Sequence, residues 1–146
     1  MEHNMILTIR TVSFDETGSG QRQEFTLPAC LCVDSGKTTL VYTQEEEDGS
    51  VAKTAISYES GTPCVLEMEQ SGARACFMRF AVGRSHRGEY RVAGLPTFPF
   101  SLLAKTVENT LSPVGGRILL DYEMDFGGAR SRVRLTLTAK AGEAAT

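Results

Sequence analysis

At 146 residues, with 41% hydrophobic and 23% charged residues, the chain has the size and composition of one globular domain, which excludes a disordered or fibrous protein. Its formal net charge of −3 gives no general attraction to nucleic acid or to an anionic membrane, because phosphate binding depends on accumulated lysine and arginine. No apolar run approaches the ~20 residues of a membrane helix, and the first residues show no signal-peptide pattern. We therefore expect a cytoplasmic protein with one domain over 1–146, its core at about 5–140 and a flexible tail at 141–146.

Glycine-containing turns recur along the whole chain. They lie at 15–20, 34–36, 48–49, 60–61, 71–72, 86–88, 113–116 and 127–128. Glycine supplies positive φ angles, and aspartate or serine supplies local side-chain hydrogen bonds, so these clusters are typical of hairpins. The segments between them alternate apolar with polar residues, which predicts strands with one buried and one exposed face. The connections are too short for crossover helices, so neighbouring strands should pair antiparallel.

The predicted strands, in chain order, cover 5–14, 21–33, 38–45, 51–58, 64–69, 75–82, 117–126 and 132–140. Pro28, inside the second strand, cannot donate a backbone hydrogen bond, so it predicts an edge, a bulge or a break. The acidic run 45–48 is interpreted as a solvated hairpin end, with a cation site as the alternative. Residues 98–111 fit either a strand with alternating apolar positions or a helix with an apolar stripe. Pro96 and Pro99 hinder an early helix, and the surrounding pattern favours the strand.

The alternation also assigns the two faces of several strands. The apolar phases expected to face the core are Cys64, Leu66 and Met68; Cys76, Met78, Phe80 and Val82; Ile118, Leu120, Tyr122, Met124 and Phe126; and Val133, Leu135 and Leu137. About eight to ten such strands need closure or a sandwich, because a long open sheet would leave exposed edges. The pattern therefore predicts an all-β, antiparallel fold, either a closed barrel or a sandwich.

Four short motifs carry a resemblance to a known family. They are Tyr42-Thr43-Gln44-Glu45 before a glycine hairpin, Met68 to Ala73, Arg79-Phe80 with Gly83 and Tyr90, and Gly116-Arg117-Ile118 leading to Tyr122. In order and spacing, over about 5–140, the chain resembles the YwiB-like family of small bacterial proteins. The resemblance implies a lipocalin-like (calycin) β-barrel and brings no catalytic residues. The fold class we predict is therefore all-β, a single antiparallel and mostly up-and-down β-barrel of about eight to ten strands. The chain departs from the family pattern at 95–100, where it has two prolines.

Searches for catalytic and cofactor motifs give only near misses. Gly36-Lys37-Thr38 looks like the end of a phosphate-binding loop, but Leu31 occupies the position of the required glycine. We find no nucleophile elbow, zinc-protease motif or dinucleotide fingerprint, so we expect no cofactor and name no catalytic residue, although an enzyme is not excluded.

The four cysteines, Cys30, Cys32, Cys64 and Cys76, are interpreted as free thiols that pack as small hydrophobic residues, with disulfides or a metal site as alternatives. Cys30 and Cys32 fall on the same face of a strand, whereas structural zinc sites usually take paired cysteines from turns with two or more intervening residues. We therefore expect no metal site.

The first functional hypothesis is that the barrel interior binds a small, partly apolar ligand. The candidate contact residues, all on inward phases, are Tyr42, Met68, Phe80, Tyr90, Phe100, Tyr122 and Met124. Any one of them is equally explained by core packing. The tyrosines are the expected polar contacts, because a buried hydroxyl needs a partner.

The second hypothesis is a protein or RNA interaction module that uses an outer basic patch. Its candidate residues are Arg84, His86, Arg87, Arg91, Arg130, Arg132 and Arg134. The bland alternative is that these are ordinary solvated charges near turns. Only Tyr90 adds an aromatic ring to them, which argues against nucleic acid.

Overall fold

The chain folds into ten strands. The structure is a computed structural model that describes residues 1–92 and 94–142. The strands are β1 (Glu2–Asp15), β2 (Gly20–Asp34), β3 (Lys37–Glu45), β4 (Val51–Glu59), β5 (Thr62–Gly72), β6 (Arg74–Phe80), β7 (Ser85–Val92), β8 (Phe98–Asn109), β9 (Gly115–Phe126) and β10 (Ala129–Ala141).

The strands close into an up-and-down barrel in which each strand pairs antiparallel with its neighbours in sequence and β10 pairs with β1. Successive turns therefore lie at alternate ends. We call the end with the β1–β2, β3–β4, β5–β6, β7–β8 and β9–β10 turns the mouth. The predicted fold class is confirmed, and so is the strand alternative for residues 98–109.

Two predictions about the chain need adjustment. The expected tail from 141 lies outside the described residues beyond Gly142, whereas Ala141 belongs to β10. The apolar pattern did not delimit β7, because its inner positions hold His86 and Gly88 instead of large aliphatic side chains. No helix that could span a membrane is found in the described part of the chain.

Two neighbouring strand pairs are joined along only part of their length. β2 and β3 pair from Asp34–Lys37 to Cys30–Val41, so residues 20–29 of β2 face β3 without ladder pairing. Pro28 lies just beyond the last of these pairs, and it lacks the N–H that a continued ladder would use. Of the three alternatives for Pro28, the edge is the one observed. β6 and β7 pair only at Arg74–Val92 and Ala75–Arg91.

The half of the barrel away from the mouth is filled by side chains. Its completely buried apolar residues are Met5, Leu7, Leu31, Leu40, Ile56, Leu66, Phe80, Ile118, Leu120 and Leu137. These occupy the inner phases of eight strands, so the core packs tightly there. The predicted inner phases are correct except at their ends: Cys64 is exposed, Val82 is 58% exposed and Phe126 is 37% exposed. These positions lie at or beyond the strand ends, where the barrel wall no longer covers them.

The cysteines are all free thiols, but they do not share one environment. Cys76 is buried, Cys30 and Cys32 are half-buried, and Cys64 is exposed. The expectation that all four pack as small core residues is therefore wrong for Cys64 and incomplete for Cys30 and Cys32, which lie on the outer face of β2.

Candidate functional site

A cavity of about 980 Å³ opens at the mouth and reaches into the half of the barrel next to the mouth. Seven strands contribute to its walls, and the β3–β4 turn forms part of its rim. Residues of β2 between 23 and 27 line one side, and residues 42–45 of β3 line another. The cavity therefore lies along the part of the wall where β2 and β3 do not pair.

Tyr122 lines the inner part of this cavity from β9. The residue is only 7% exposed, and its ring meets Phe80 edge-on with ring centroids 5.0 Å apart. Edge-to-face packing of this kind fixes the orientation of the ring. Among the described residues, the Tyr122 hydroxyl has no hydrogen-bond partner. The hydroxyl thus has unused hydrogen-bonding capacity at the cavity wall.

Tyr42 is a second tyrosine of the cavity wall, on β3. It is 6% exposed, and it pairs in register with Thr54 of β4, which is 1% exposed. The Thr54 hydroxyl lies beside the Tyr42 hydroxyl, so each hydroxyl has a hydrogen-bonding partner inside the barrel. Met68 and Met78 supply the flexible apolar surface of the same cavity.

An ion pair lies at the rim. A terminal guanidinium nitrogen of Arg74 is 2.8 Å from the Glu46 carboxylate, and both side chains are about one third exposed. Arg74 follows a tight β5–β6 turn at Gly72, where φ is +89° and a Cβ would overlap the Val51 carbonyl oxygen. Only glycine fits that turn without strain. The Arg74 Nε is buried without a hydrogen-bond partner in the described part of the protein.

The rim carries an excess of negative charge. Its carboxylates come from the acidic run Glu45, Glu46, Glu47 and Asp48, and Arg74 is the one cation among the described lining residues. The run is exposed except for the half-buried Glu46, so the expected solvated hairpin end is correct for three of its four members. The resulting potential disfavours an anion at the entrance.

Burial keeps the polar groups of the interior neutral. It raises the pKa of Tyr42, of Tyr90 and, most strongly, of Tyr122. It also raises the pKa of Cys76 to about 11. The Cys76 thiol donates to the Gln70 side-chain oxygen over 3.3 Å. These hydroxyls and the thiol therefore stay protonated near neutral pH and can act as hydrogen-bond donors.

Comparison with known proteins places the chain in a family. A family model described as a domain of unknown function, DUF1934, matches residues 7–137. The chain belongs to this family.

The fold of this DUF1934 member also agrees with a solved structure. The crystal structure of the ywiB protein from Bacillus subtilis superposes with a TM-score of 0.85 and covers 97% of this chain and 94% of that one. The two sequences are 24% identical, so this likeness shows the fold alone. No curated protein matches the chain. The predicted resemblance to the YwiB-like family is confirmed, and the lipocalin-like assignment stays a prediction.

Three of the seven predicted interior residues line the cavity of this DUF1934 chain: Tyr42, Met68 and Tyr122. Phe80 is completely buried behind Tyr122 and supports it instead of lining the space. Phe100 and Met124 are buried outside the cavity lining, and Tyr90 is half-buried near Arg74.

The predicted set of ligand contacts did not include Arg74, Glu46, Gln70 and Met78, although Met78 was expected to face the core. A signal existed for Arg74, which continues the inward phase of Cys76, Met78 and Phe80 by one step. The turn residue Glu46 had no such signal, because its position depends on how the hairpin folds over the rim.

The seven residues of the predicted outer patch lie in two groups. Arg84, Arg87 and Arg91 belong to β7 and the turn before it, whereas Arg130, Arg132 and Arg134 lie on β10. Strands β8 and β9 separate the groups. His86 points inward and is half-buried, and its Nε2 lies 3.0 Å from the Phe77 carbonyl oxygen.

The β10 arginines are partly neutralised. Arg132 donates two hydrogen bonds of 3.0 Å to Asp121, and Arg134 donates a third of 3.4 Å. Arg130 lies 3.4 Å from Asp125. The candidate residues of the outer basic patch therefore do not form one continuous surface, because carboxylates and two intervening strands separate them.

Proposed function

We propose that this protein binds a small, partly apolar molecule in the cavity at the mouth of its barrel. The observation that carries the proposal is the Tyr122 hydroxyl, which belongs to a residue only 7% exposed and has no partner among the described residues. A largely buried side chain that keeps a hydroxyl without a protein partner at a cavity wall marks a place where a bound molecule can form a hydrogen bond.

The shape and lining of the cavity support the same proposal. Ligand sites usually measure some hundreds of Å³, up to about 1,000 Å³, and combine apolar walls with a few placed polar groups. This cavity of about 980 Å³ has Ile9, Leu135 and two methionines beside Tyr42 and Tyr122 on its inner wall, and mostly polar residues nearer the rim. We infer an apolar body that reaches inward, with a hydrogen-bonding atom near Tyr122.

The charge at the rim narrows the class of ligand. Four carboxylates face one guanidinium, and that guanidinium is already paired with Glu46. An anionic ligand would meet repulsion at the entrance, whereas a neutral or cationic one would not. The proposed ligand is therefore neutral or positively charged.

A neutral fluorescent probe, N-phenyl-1-naphthylamine, tests the proposal by fluorescence titration. We expect binding to the unaltered protein and weaker binding of its sulfonated counterpart, 8-anilino-1-naphthalenesulfonate. In Tyr122→Phe the affinity for the neutral probe should fall about two- to tenfold, the equivalent of one hydrogen bond.

Tyr58→Phe is the matched control, because Tyr58 is also buried but does not line the cavity. Its affinity for the probe should equal that of the unaltered protein. Absence of probe binding, or an equal loss in both variants, would show that the cavity is not the binding site. Circular dichroism establishes that both variants fold.

No specific observation supports the second hypothesis from the sequence, the outer basic module. Its arginines lie in two separated groups, and two of those on β10 are bound to Asp121. We therefore favour ligand binding in the interior over the outer basic module.

A further inference from the structure

A cluster of two thiols and a carboxylate lies on the outer face of the barrel, at the end away from the mouth. Cys30 and Cys32 occupy alternate positions of β2, and their sulfur atoms are 3.7 Å apart. Glu2 of β1 pairs in register with Cys32, which puts its side chain on the same face. The two sulfurs and a Glu2 carboxylate oxygen all lie within 4.8 Å of one another.

The spacing of the two sulfur atoms matches that of a tetrahedral metal centre. With a Zn–S bond of about 2.3 Å, two thiolates on one zinc ion lie roughly 3.8 Å apart. The observed 3.7 Å between the sulfurs of Cys30 and Cys32 needs almost no adjustment. A carboxylate oxygen on the same ion would lie roughly 3.5 Å from each sulfur, at a Zn–O distance of about 2.1 Å. A rotation of the exposed Glu2 side chain can provide this approach.

The same backbone geometry is poorly suited to a disulfide. Residues at alternate positions of a strand have Cα atoms about 6.7 Å apart, with their Cβ atoms on the same side. That separation is at the upper limit for a disulfide, which also needs Cβ atoms about 3.8 Å apart. The strand therefore holds the two thiols as a pair of parallel ligands.

The local charges also favour a cation. Two thiolates and the Glu2 carboxylate would repel one another at this point of the surface if no cation lay between them. A metal ion reverses this repulsion and deprotonates its thiol ligands.

We propose that Glu2, Cys30 and Cys32 form a binding site for a borderline or soft divalent metal ion of the zinc class, with a fourth position open to water. Two thiolates select such ions over magnesium or calcium, which prefer oxygen ligands. The ion would join the first residues of β1 to β2. The site is separate from the mouth cavity, so the two proposals stand or fall independently.

Titration with Co²⁺, followed by displacement with Zn²⁺, tests the proposal. For this experiment the protein is expressed with its purification tag at the C-terminus, away from Glu2. It is then reduced with a phosphine and freed of metal with a chelator. We expect one Co²⁺ per chain and a sulfur-to-cobalt charge-transfer band. Cys30→Ser and Cys32→Ser should each weaken binding at least about tenfold and diminish that band.

Two further variants sharpen the test. Cys64→Ser removes an exposed thiol elsewhere and should leave affinity and spectrum unchanged. Glu2→Gln should weaken Co²⁺ binding while the sulfur band persists. The proposal is overturned if Co²⁺ binds without the sulfur band, if Cys64→Ser loses the band, or if Glu2→Gln keeps full affinity. Zinc should raise the melting temperature of the unaltered protein and not that of Cys30→Ser, which separates loss of the site from loss of folding.

Discussion

Asp121 shows how a single residue can differ from its sequence pattern. It alternates with Ile118, Leu120 and Tyr122 and faces outward, so the sequence predicts a solvated carboxylate. Instead it is 4% exposed, because the guanidinium groups of Arg132 and Arg134 cover it. Alternation predicts which face a side chain takes, but it does not predict which long side chains fold over that face. The neighbouring Tyr122 points inward as predicted.

Replacement of Asp121 by asparagine tests this outer ion cluster. Asp121→Asn removes the negative charge that two arginines share, and we expect the free energy of unfolding to fall by about 1–3 kcal/mol. Glu24→Gln removes an exposed carboxylate 3.0 Å from Arg10 and should cost about 0–1 kcal/mol. Urea denaturation at pH 7 measures both. Equal costs would mean that burial of Asp121 adds nothing.

The contribution of Asp121 to stability should also depend on pH, and the direction of this dependence can be predicted. Hydrogen bonds from Arg132 lower the pKa of Asp121 below its ordinary value. A carboxyl with a lowered folded-state pKa contributes stability above its unfolded pKa of about 3.9 and loses it as the pH falls through the folded value. The stability difference between the unaltered protein and Asp121→Asn should therefore shrink below about pH 4.

At the scale of elements, β2 consists of two parts that differ in their pairing with the neighbouring strands. Residues 30–32 pair with both β1 and β3, whereas residues 20–29 pair with β1 alone. The position of Pro28 within an alternating strand predicted an edge as one of three possibilities, because proline lacks the N–H of a ladder bond. The sequence could not select among them, since the length of the β2–β3 ladder depends on where β3 leaves its neighbour to line the cavity.

Hydrogen exchange of backbone amides tests this division of β2. Every second amide of residues 20–27 has no ladder partner on the β3 side, and we expect these amides to exchange at least roughly tenfold faster than those of residues 118–124. Strand β9 is the matched control, because it pairs with neighbours on both sides. Uniform protection along β2 would mean that the wall beside the cavity is closed in solution.

At the scale of the whole molecule, the turns and the two-residue period predicted antiparallel strands that close or form a sandwich, and the family resemblance pointed to the barrel. About eight to ten alternating segments with short connections have few other ways to bury one face and to avoid open edges. The cavity was beyond the same reasoning. Whether inward residues fill a barrel depends on how side chains from strands far apart in sequence meet, as Tyr42, Met68 and Tyr122 do around this cavity. Sequence alternation contains no information about that filling.

The division of the interior follows from side-chain size and polarity. Aliphatic residues such as Leu31, Leu40 and Leu120 fill the end away from the mouth, whereas tyrosine, methionine and Gln70 line the half next to the mouth. Tyr42 and Gln70 have partners within the protein, but the Tyr122 hydroxyl has none among the described residues, so a bound molecule could supply one. This division links the barrel architecture to the proposed ligand.

Native mass spectrometry tests that central claim most directly. The protein is purified from its own host and compared with its denatured mass, alongside Tyr122→Phe expressed and purified in the same way. We predict a reproducible additional mass of a neutral or cationic small molecule on the unaltered protein, with lower occupancy on Tyr122→Phe. A bare mass for the unaltered protein, or equal occupancy in both, would contradict the account of the cavity as a ligand site.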